Sequence, residues 1–451
     1  MPQVKIAIIG AGPAGCTLAR LLLSTPLPSS VSLNITVYEG ESTANARSQG
    51  GTLDLHTKTG LLAMQRAGLY DKFLEHARFD GEALQITDKN LRRYINMGGA
   101  DKGGNKSRGR PEIDRARLRQ ILVDSLPESM IKWNHRLQSA SRSATGQINL
   151  QFDNGAVSDL ELVVGADGAW SKIRPLLSDQ APHYSGVSGV RLQVSDVATA
   201  HPDLYTLVNR GSLFAYSDHK SLMLQQLGDG SLSASTWVVQ PRFADQPLPF
   251  KTSDQEALRH HLQSIYARWN PQLTQALDVA DELLPMDLYM LPVGHSWPHK
   301  SGLTLIGDAA HLMTPFAGQG VNLAMEDSLR LSESIISACN ALAASASDPS
   351  RDQIQTTLST RVADFELDMF ARASEIQQLT ADSMQLMYFE PGAPDQCIER
   401  WICGHVGRSV PWVFGLLLKP LVYVYFWLFR LLGWGGGSVA ASREKEVVTD
   451  G

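Results

Sequence analysis

Apolar positions along this chain fall into two kinds of run. In Val4-Lys-Ile-Ala-Ile-Ile9 they are nearly continuous, as in a strand covered on both faces, and Leu33–Tyr38, Leu160–Val164 and Gly302–Ile306 repeat the pattern. Each of these runs empties into a glycine or an acid, which marks a turn at the strand's end. Between residues 187 and 239 the pattern changes. Val187–Val194, Ser221–Gln226 and Ser231–Val239 alternate partially and are split by turn-rich pieces such as Gly228-Asp-Gly230, predicting a mostly antiparallel sheet with one face toward a ligand. Helical spacing follows the continuous runs at Cys16–Leu23 and from Val321 onward. It predicts one long helix over Asp352–Met387, where Leu358, Val362, Phe365, Met369 and Ile376 would pack on the core.

The first continuous run leads directly into Gly10-Ala-Gly-Pro-Ala-Gly15. In a strand-to-helix turn, Gly10 makes the tight corner, Gly12 lets the backbone approach a pyrophosphate, and Gly15 lets the helix pack on the strand; Pro13 and Ala14 open that helix. The second run ends at Glu39, where a carboxylate can hold the ribose hydroxyls of an adenosine. The sequence has no second strand–G-x-G-x-x-G–helix unit, so it supports one bound dinucleotide and no separate domain for another.

The stretch Leu305–Asp327 combines a strand end, the Gly307-Asp308 turn, a loop stiffened by Pro315 and opened by Gly318 and Gly320, and a helix start at Val321. A helix N-terminus with free N–H groups suits the N(1)–C(2)=O edge of a reduced flavin, and Asp308 suits sugar hydroxyls. A third turn, Gly165-Ala-Asp167-Gly168, precedes Ser171, a candidate helix cap.

The ordered set G-A-G-P-A-G, G-A-D-G-x-x-S-x-x-R and G-D-A-A-H-x-x-x-P-F-x-G-Q-G-x-N resembles the class A flavoprotein monooxygenases of the para-hydroxybenzoate hydroxylase superfamily. Arg47–His56, Pro111–Leu122 and Phe365–Phe370 are most similar to the tetracycline-inactivating members. The resemblance implies an α/β fold in which a Rossmann-like FAD-binding domain with a parallel sheet is interleaved with a mostly antiparallel-sheet substrate domain, followed by a long C-terminal helix and a hydrophobic C-terminal tail. The boundaries expected are 1–75, 102–176 and 285–345 for the FAD domain, 76–101 and 177–284 for the substrate domain, 346–408 for the helical region and 409–451 for the tail. It also implies that NADPH visits to reduce FAD, that O2 adds as a flavin hydroperoxide, and that one oxygen passes to a small-molecule substrate. The flavin drives the chemistry, with no catalytic side chain and no metal required. Expected cofactor contacts are Arg47, Gly51, Asp54, Arg115, Asp167, Pro315, Gly318, Gly320 and Val321, beside the glycines, Glu39 and Asp308 already named. Gln193 matches a substrate-binding glutamine of the tetracycline-inactivating members, while Ser233 stands where they carry a histidine; Met223 and Phe316 would line an apolar pocket. The substrate expected is polycyclic, phenolic or lipophilic, with hydroxylation the reaction. Epoxidation, Baeyer–Villiger insertion, or a related flavoprotein reductase or halogenase is the alternative.

Composition narrows the partners. A length of 451 residues with 43% hydrophobic content suffices for two or three structural units, and a net charge of −6 with no basic stripe argues against nucleic acid. The four cysteines, Cys16, Cys339, Cys397 and Cys403, are scattered and suit a reducing, cytoplasmic compartment. The apolar N-terminus is not read as a secretion signal, because its removal would delete the glycine loop. A monomer is expected. Residues 410–434 are strongly apolar and aromatic but are interrupted by Lys419, Pro420 and Arg430, a poor membrane span. Two broken helices at a membrane surface, or a lid over the substrate mouth, fit that pattern.

Overall fold

The computed structural model describes residues 3–44, 50–98, 109–144, 146–344, 349–406 and 412–434. Arg47, most of the polar stretch 102–109 and the last residues of the tail lie outside the described residues. The described residues divide into two compact units, one drawn from 1–82, 105–186 and 287–381, the other from 83–104, 187–286 and 382–451.

In the first unit, strand β1 (Gln3–Ile9) is central, flanked by β2 (Ser32–Tyr38) on one side and β3 (Leu162–Gly165) on the other, with β4 (Leu303–Leu305) beyond β3 and a two-residue edge strand Ile131–Lys132 beyond β2. All four pairings are parallel. Val4, Ile6, Ala7, Ile8 and Ile9 are buried, as a strand covered on both faces requires. Helix α1 (Pro13–Ser24) packs along α2 (Gly320–Ala343), and Ser328 Oγ of α2 donates to Ala14 O at 2.8 Å. Helix α3 (Arg351–Met384) adds Ile354, Leu358, Val362, Phe365 and Met369 to the same core, then widens into a π turn at Gln385–Phe389 instead of running to Met387 as a regular helix. The small-residue stretch after Ala341 is not all linker, since α2 continues through Ala343.

In the second unit a seven-stranded sheet has the order 282–290, 183–194, 232–239, 220–226, 212–217, 84–87, 93–97. Neighbours pair antiparallel at each resolved ladder except 84–87 with 212–217, which is parallel. Alternate residues Val190, Leu192, Val194, Leu213, Leu222, Leu224, Leu232 and Ala234 form one core with the helices Pro202–Val208, Gln255–Ile265 and Pro271–Asp278. The opposite sheet face carries the intervening residues.

Two local expectations are corrected. Ser171 does cap a turn, with its Oγ accepting from Ile173 N and Arg174 N, but only a 3-10 turn (Arg174–Leu176) follows. The C-terminal segment is one helix, α4 (Trp412–Leu431), which runs through Pro420 rather than breaking there. Among the described residues no helix is long and apolar enough to cross a membrane.

Candidate functional site

A parallel sheet brings all its strand ends to one edge, and three backbone bonds stitch that edge together in the first unit. Gly10 N donates to Tyr38 O, Ala166 N to Ile9 O, and Ile306 N to Gly165 O, at 2.8, 2.8 and 2.9 Å. Gly10, Glu39, the Gly165–Gly168 turn and the Gly307-Asp308 turn therefore emerge at the same edge, where open α/β sheets bind ligands.

The glycines of the first loop divide into two roles. A Cβ on Gly10 would lie 2.4 Å from Ala166 O, and one on Gly15 would lie 2.0 Å from Gly10 O, so both are required by packing. A Cβ on Gly12 would meet nothing within 4 Å. Gly12 is the N-cap of α1, with Pro13 and Ala14 in the first turn, and no side chain caps that turn. The free first-turn N–H groups and the open space above Gly12 fit a dinucleotide pyrophosphate.

Glu39 is anchored by two backbone donors, Ala11 N to Oε2 at 2.8 Å and Glu41 N to Oε1 at 2.9 Å. Each oxygen keeps a lone pair for a sugar hydroxyl. Arg119, buried and missed by the sequence reading, braces the same place. Its Nη1 is 2.8 Å from Glu41 Oε2 and donates to Ala44 O, its Nε donates to Ala11 O at 3.3 Å, and its Nη2 is 4.0 Å from Glu39 Oε2. Arg119 lies one helical turn beyond Arg115 in Arg115-Ala-Arg-Leu-Arg119, a spacing that could have pointed to it. Arg115 starts its helix with its N–H on Gly51 O at 3.1 Å.

Asp308 is exposed rather than buried, opens the short helical turn Asp308–His311, and has no partner among the described residues. The buried acid of this motif is Asp327, fully enclosed on α2. It accepts from Gly307 N at 3.1 Å, His311 Nε2 lies 2.6 Å from it, and Arg372 Nη1 donates to its other oxygen at 3.0 Å. Asn322, equally buried, ties the start of α2 to the segment after Asp54: Nδ2 donates to Asp54 O, and Oδ1 accepts from His56 N, both at 2.8 Å. Gly318 stands beside Asp54, whose Oδ2 is 2.9 Å from His56 Nε2. Pro315, Phe316 and Ala317 form a single 3-10 turn before Gly318, and α2 then begins at Gly320 and Val321 with no side-chain cap. Asp167 Oδ2 accepts from Lys172 N at 2.7 Å, whereas its Oδ1 is buried without a partner, and burial raises its pKa above the usual carboxylate value. An orphaned carboxylate oxygen, an unpartnered Asp308 and two uncapped helix starts at one sheet edge fit FAD.

The sheet face of the second unit brings together three of the four expected substrate residues. Gln193 opposes Ser233, which opposes Gln225; in the adjacent row, Arg191 opposes Ser235, Ser235 opposes Met223, and Met223 opposes Phe214. Gln193 is already engaged, donating to Ser231 Oγ at 3.1 Å. Phe316 belongs to the first unit. Arg191 was not singled out by the sequence reading. It is half-buried, burial lowers its pKa, and it has no counter-ion or hydrogen-bond partner among the described residues. The row thus runs from a desolvated cation, through the small polar Ser235, to an apolar end at Met223 and Phe214.

The chain is similar to known FAD-binding proteins. The sequence model of a family described as FAD binding domain matches residues 3–348. A monooxygenase of Penicillium thymicola, penA, is 32% identical over 436 residues, covering 87% of this chain and 97% of its own. Among solved structures, Klebsiella pneumoniae HpxO in complex with FAD and uric acid superposes with a TM-score of 0.66 at 19% identity, over 93% of this chain and 97% of that one. The tetracycline destructase Tet(55) gives 0.62 at 16% identity, over 90% and 96%. At these identities the two structures speak to the fold alone.

Proposed function

This chain belongs to the FAD-binding-domain family of class A flavin monooxygenases and is an FAD-dependent monooxygenase, and from that premise we propose that it uses NADPH and O2 to hydroxylate a flat, amphipathic phenolic or enolic molecule. The observation that carries the substrate reading is the row Arg191–Ser235–Met223–Phe214. An unpaired guanidinium favours an acidic oxygen, which it can hold by charge-assisted bonds, and the apolar end favours ring carbon. Bound FAD would supply the redox centre that accepts hydride and activates O2. Glu39 would hold the adenosine ribose, the Gly12 turn the pyrophosphate, and Asp308 a hydroxyl of the ribityl chain. The uncapped start of α2, with Pro315 and Gly318 before it, would present N–H groups to the anionic edge of the ring. Arg191 would orient the substrate's oxygen and favour its deprotonated form, which makes the neighbouring carbon electron-rich. The working division is the one expected from sequence, with 1–75, 102–176 and 285–345 holding FAD, and 76–101 and 177–284 holding substrate. The protein would act as a cytoplasmic monomer with a peripheral lipid contact through 410–434.

The test mixes FAD-loaded protein with NADPH, isotopically labelled O2 and a panel of phenols and enols, each beside its neutral methyl ether. The expected result is ligand-stimulated NADPH oxidation and one labelled oxygen in the product, for the acidic members only. NADPH oxidation that no ligand stimulates, with no labelled product, would overturn the assignment.

A further inference from the structure

The helix α4 is fixed on one side and bare on the other. Phe426 and Phe429 are buried, Tyr94 lies 5.3 Å from the Phe429 ring, and the Arg92 guanidinium sits 4.5 Å over it while donating to Phe429 O and Trp434 O. Arg430 is held by both oxygens of Glu399 and by Asp395 O. With that side clamped, the opposite side cannot rotate inward. It exposes Leu421, Val424, Tyr425, Trp427, Leu431 and Trp434, each about half exposed or more. The positions i, i+3, i+4, i+6 and i+10, with Trp434 just past the helix end, form one continuous stripe without a charged side chain. Lys419 and Arg430 both lie off the stripe, and Arg430 is already neutralised by Glu399.

A surface of this size and chemistry needs an occupant. Residues 435–451 are glycines, small and charged residues with only three valines, too little apolar side chain to cover it. Indole and phenol rings interleaved with leucine and valine suit the boundary between lipid head groups and acyl chains, where one part of each ring is dry and the polar atom stays wet. Phe426, Phe429 and the Glu399-paired Arg430 hold one side of the helix on the protein, and among the described residues no helix is long and apolar enough to cross a membrane, so the bare side would lie in that boundary. We propose that the Leu421–Trp434 face of α4 is a bilayer-insertion surface that works by apolar burial, independently of lipid charge. This rests on the reading of 410–434 as a lipid contact and specifies which side chains make it and by what force.

The test pellets full-length, FAD-loaded protein with vesicles of phosphatidylcholine alone and with added phosphatidylserine, in low and high salt. The expected result is binding to neutral vesicles that changes by less than about twofold with salt or phosphatidylserine. The double change Trp427→Ser and Leu431→Ser should weaken it at least about tenfold, with flavin content and NADPH oxidation unchanged, and Lys419→Gln should have no effect. Binding only to anionic vesicles, lost in salt, would overturn the insertion surface while leaving a lipid contact standing. No pelleting with any vesicle would overturn both, and a doubled mass in sedimentation would then assign the stripe to a second copy of the chain.

Discussion

Replacing Asp327 by Ala tests whether the Gly307–His311 turn is held from behind by one carboxylate. The side chain is fully enclosed and receives Gly307 N at 3.1 Å, His311 Nε2 at 2.6 Å and Arg372 Nη1 at 3.0 Å. Arg372 also contacts Asp368 and Glu326, so it keeps some charge compensation without Asp327. Gly307 N and His311 have no such substitute among the bonds described. Removing one partner from a buried, hydrogen-bonded charge pair costs about 3–5 kcal/mol, because the partner stays buried and uncompensated. For a cooperative unit of roughly 250 residues each kcal/mol lowers Tm by about 2 °C, so Asp327→Ala should melt about 6–10 °C early.

Stability alone would not separate a brace for the loop from any buried acid, so the comparison is Glu366→Gln. Glu366 is equally buried and binds Trp297 Nε1 at 3.2 Å and His299 Nδ1 at 2.7 Å, with no bond to the Gly307–His311 turn. Thermal melts and FAD titrations of the apoprotein should show both variants destabilised, but only Asp327→Ala with FAD affinity weakened at least about tenfold. Asp327→Asn should fall between, since it preserves shape and an acceptor for Gly307 N. A Tm within about 2 °C of the parent, or FAD affinity unchanged while stability drops, would refute the reasoning.

Gly10→Ala should destabilise the apoprotein by about 2 kcal/mol or more through the 2.4 Å approach to Ala166 O, whereas Gly12→Ala, whose Cβ meets no protein atom, should leave the apo melt unchanged and weaken FAD binding. Arg191→Met should raise KM for acidic phenols by about tenfold to a hundredfold with little change for their methyl ethers, and Arg191→Lys should restore part of it, read by steady-state kinetics. Glu112 is buried against Thr52 and Arg78, and burial pushes its carboxyl up to about 8 even though Arg78 and the Thr52 hydrogen bond pull it down. A raised carboxyl pKa means the folded state binds the proton more tightly than the unfolded chain. Stability should therefore be flat below about 4.5, fall as pH rises to about 8, and level off beyond, by on the order of a few kcal/mol. Glu112→Gln should flatten that slope in urea melts taken across the window, and an unchanged slope would exclude Glu112 as its source.

The continuous apolar runs made β1, β2, β3 and β4 legible, because a strand buried on both faces leaves its signature in a few adjacent residues. Their order did not follow from the sequence, since β1 pairs with residues 162–165 and those with 303–305 through long crossovers. The Ser171 cap was legible, yet the helix it suggests is only a turn, because Pro175, placed to make the first i to i−4 bond to Ser171 O, has no N–H, and Leu176 N and Leu177 N bond three residues back to Ile173 O and Arg174 O. Pro420 looked like a break, but it removes a single backbone donor, and the docking of Phe426 and Phe429 holds the helix through it. Arg119, Asn322 and Asp327 escaped notice for a shared reason. Each acts on a residue far away in sequence, and only the packing of α2 and the helix Arg115–Asp124 against the loops brings donor and acceptor together. Arg191 escaped for the opposite reason, since its distinguishing feature is a missing partner.

Four acids at one sheet edge, Glu39, Glu41, Asp167 and Asp308, pose an electrostatic problem for a site proposed to receive a pyrophosphate. Glu39 and Glu41 share the Arg119 guanidinium, so the charge nearest the glycine loop is partly offset inside the protein before any ligand arrives. At Asp167 burial raises the carboxyl pKa above its usual value, against the pull of the Lys172 N–H bond. Asp308 is exposed and has no partner among the described residues, whereas the Gly12 turn offers N–H groups to phosphate. An uncompensated carboxylate repels phosphate oxygens but readily accepts from hydroxyls. On the proposed function, the start of α1 would therefore take the pyrophosphate and Asp308 a sugar-chain hydroxyl.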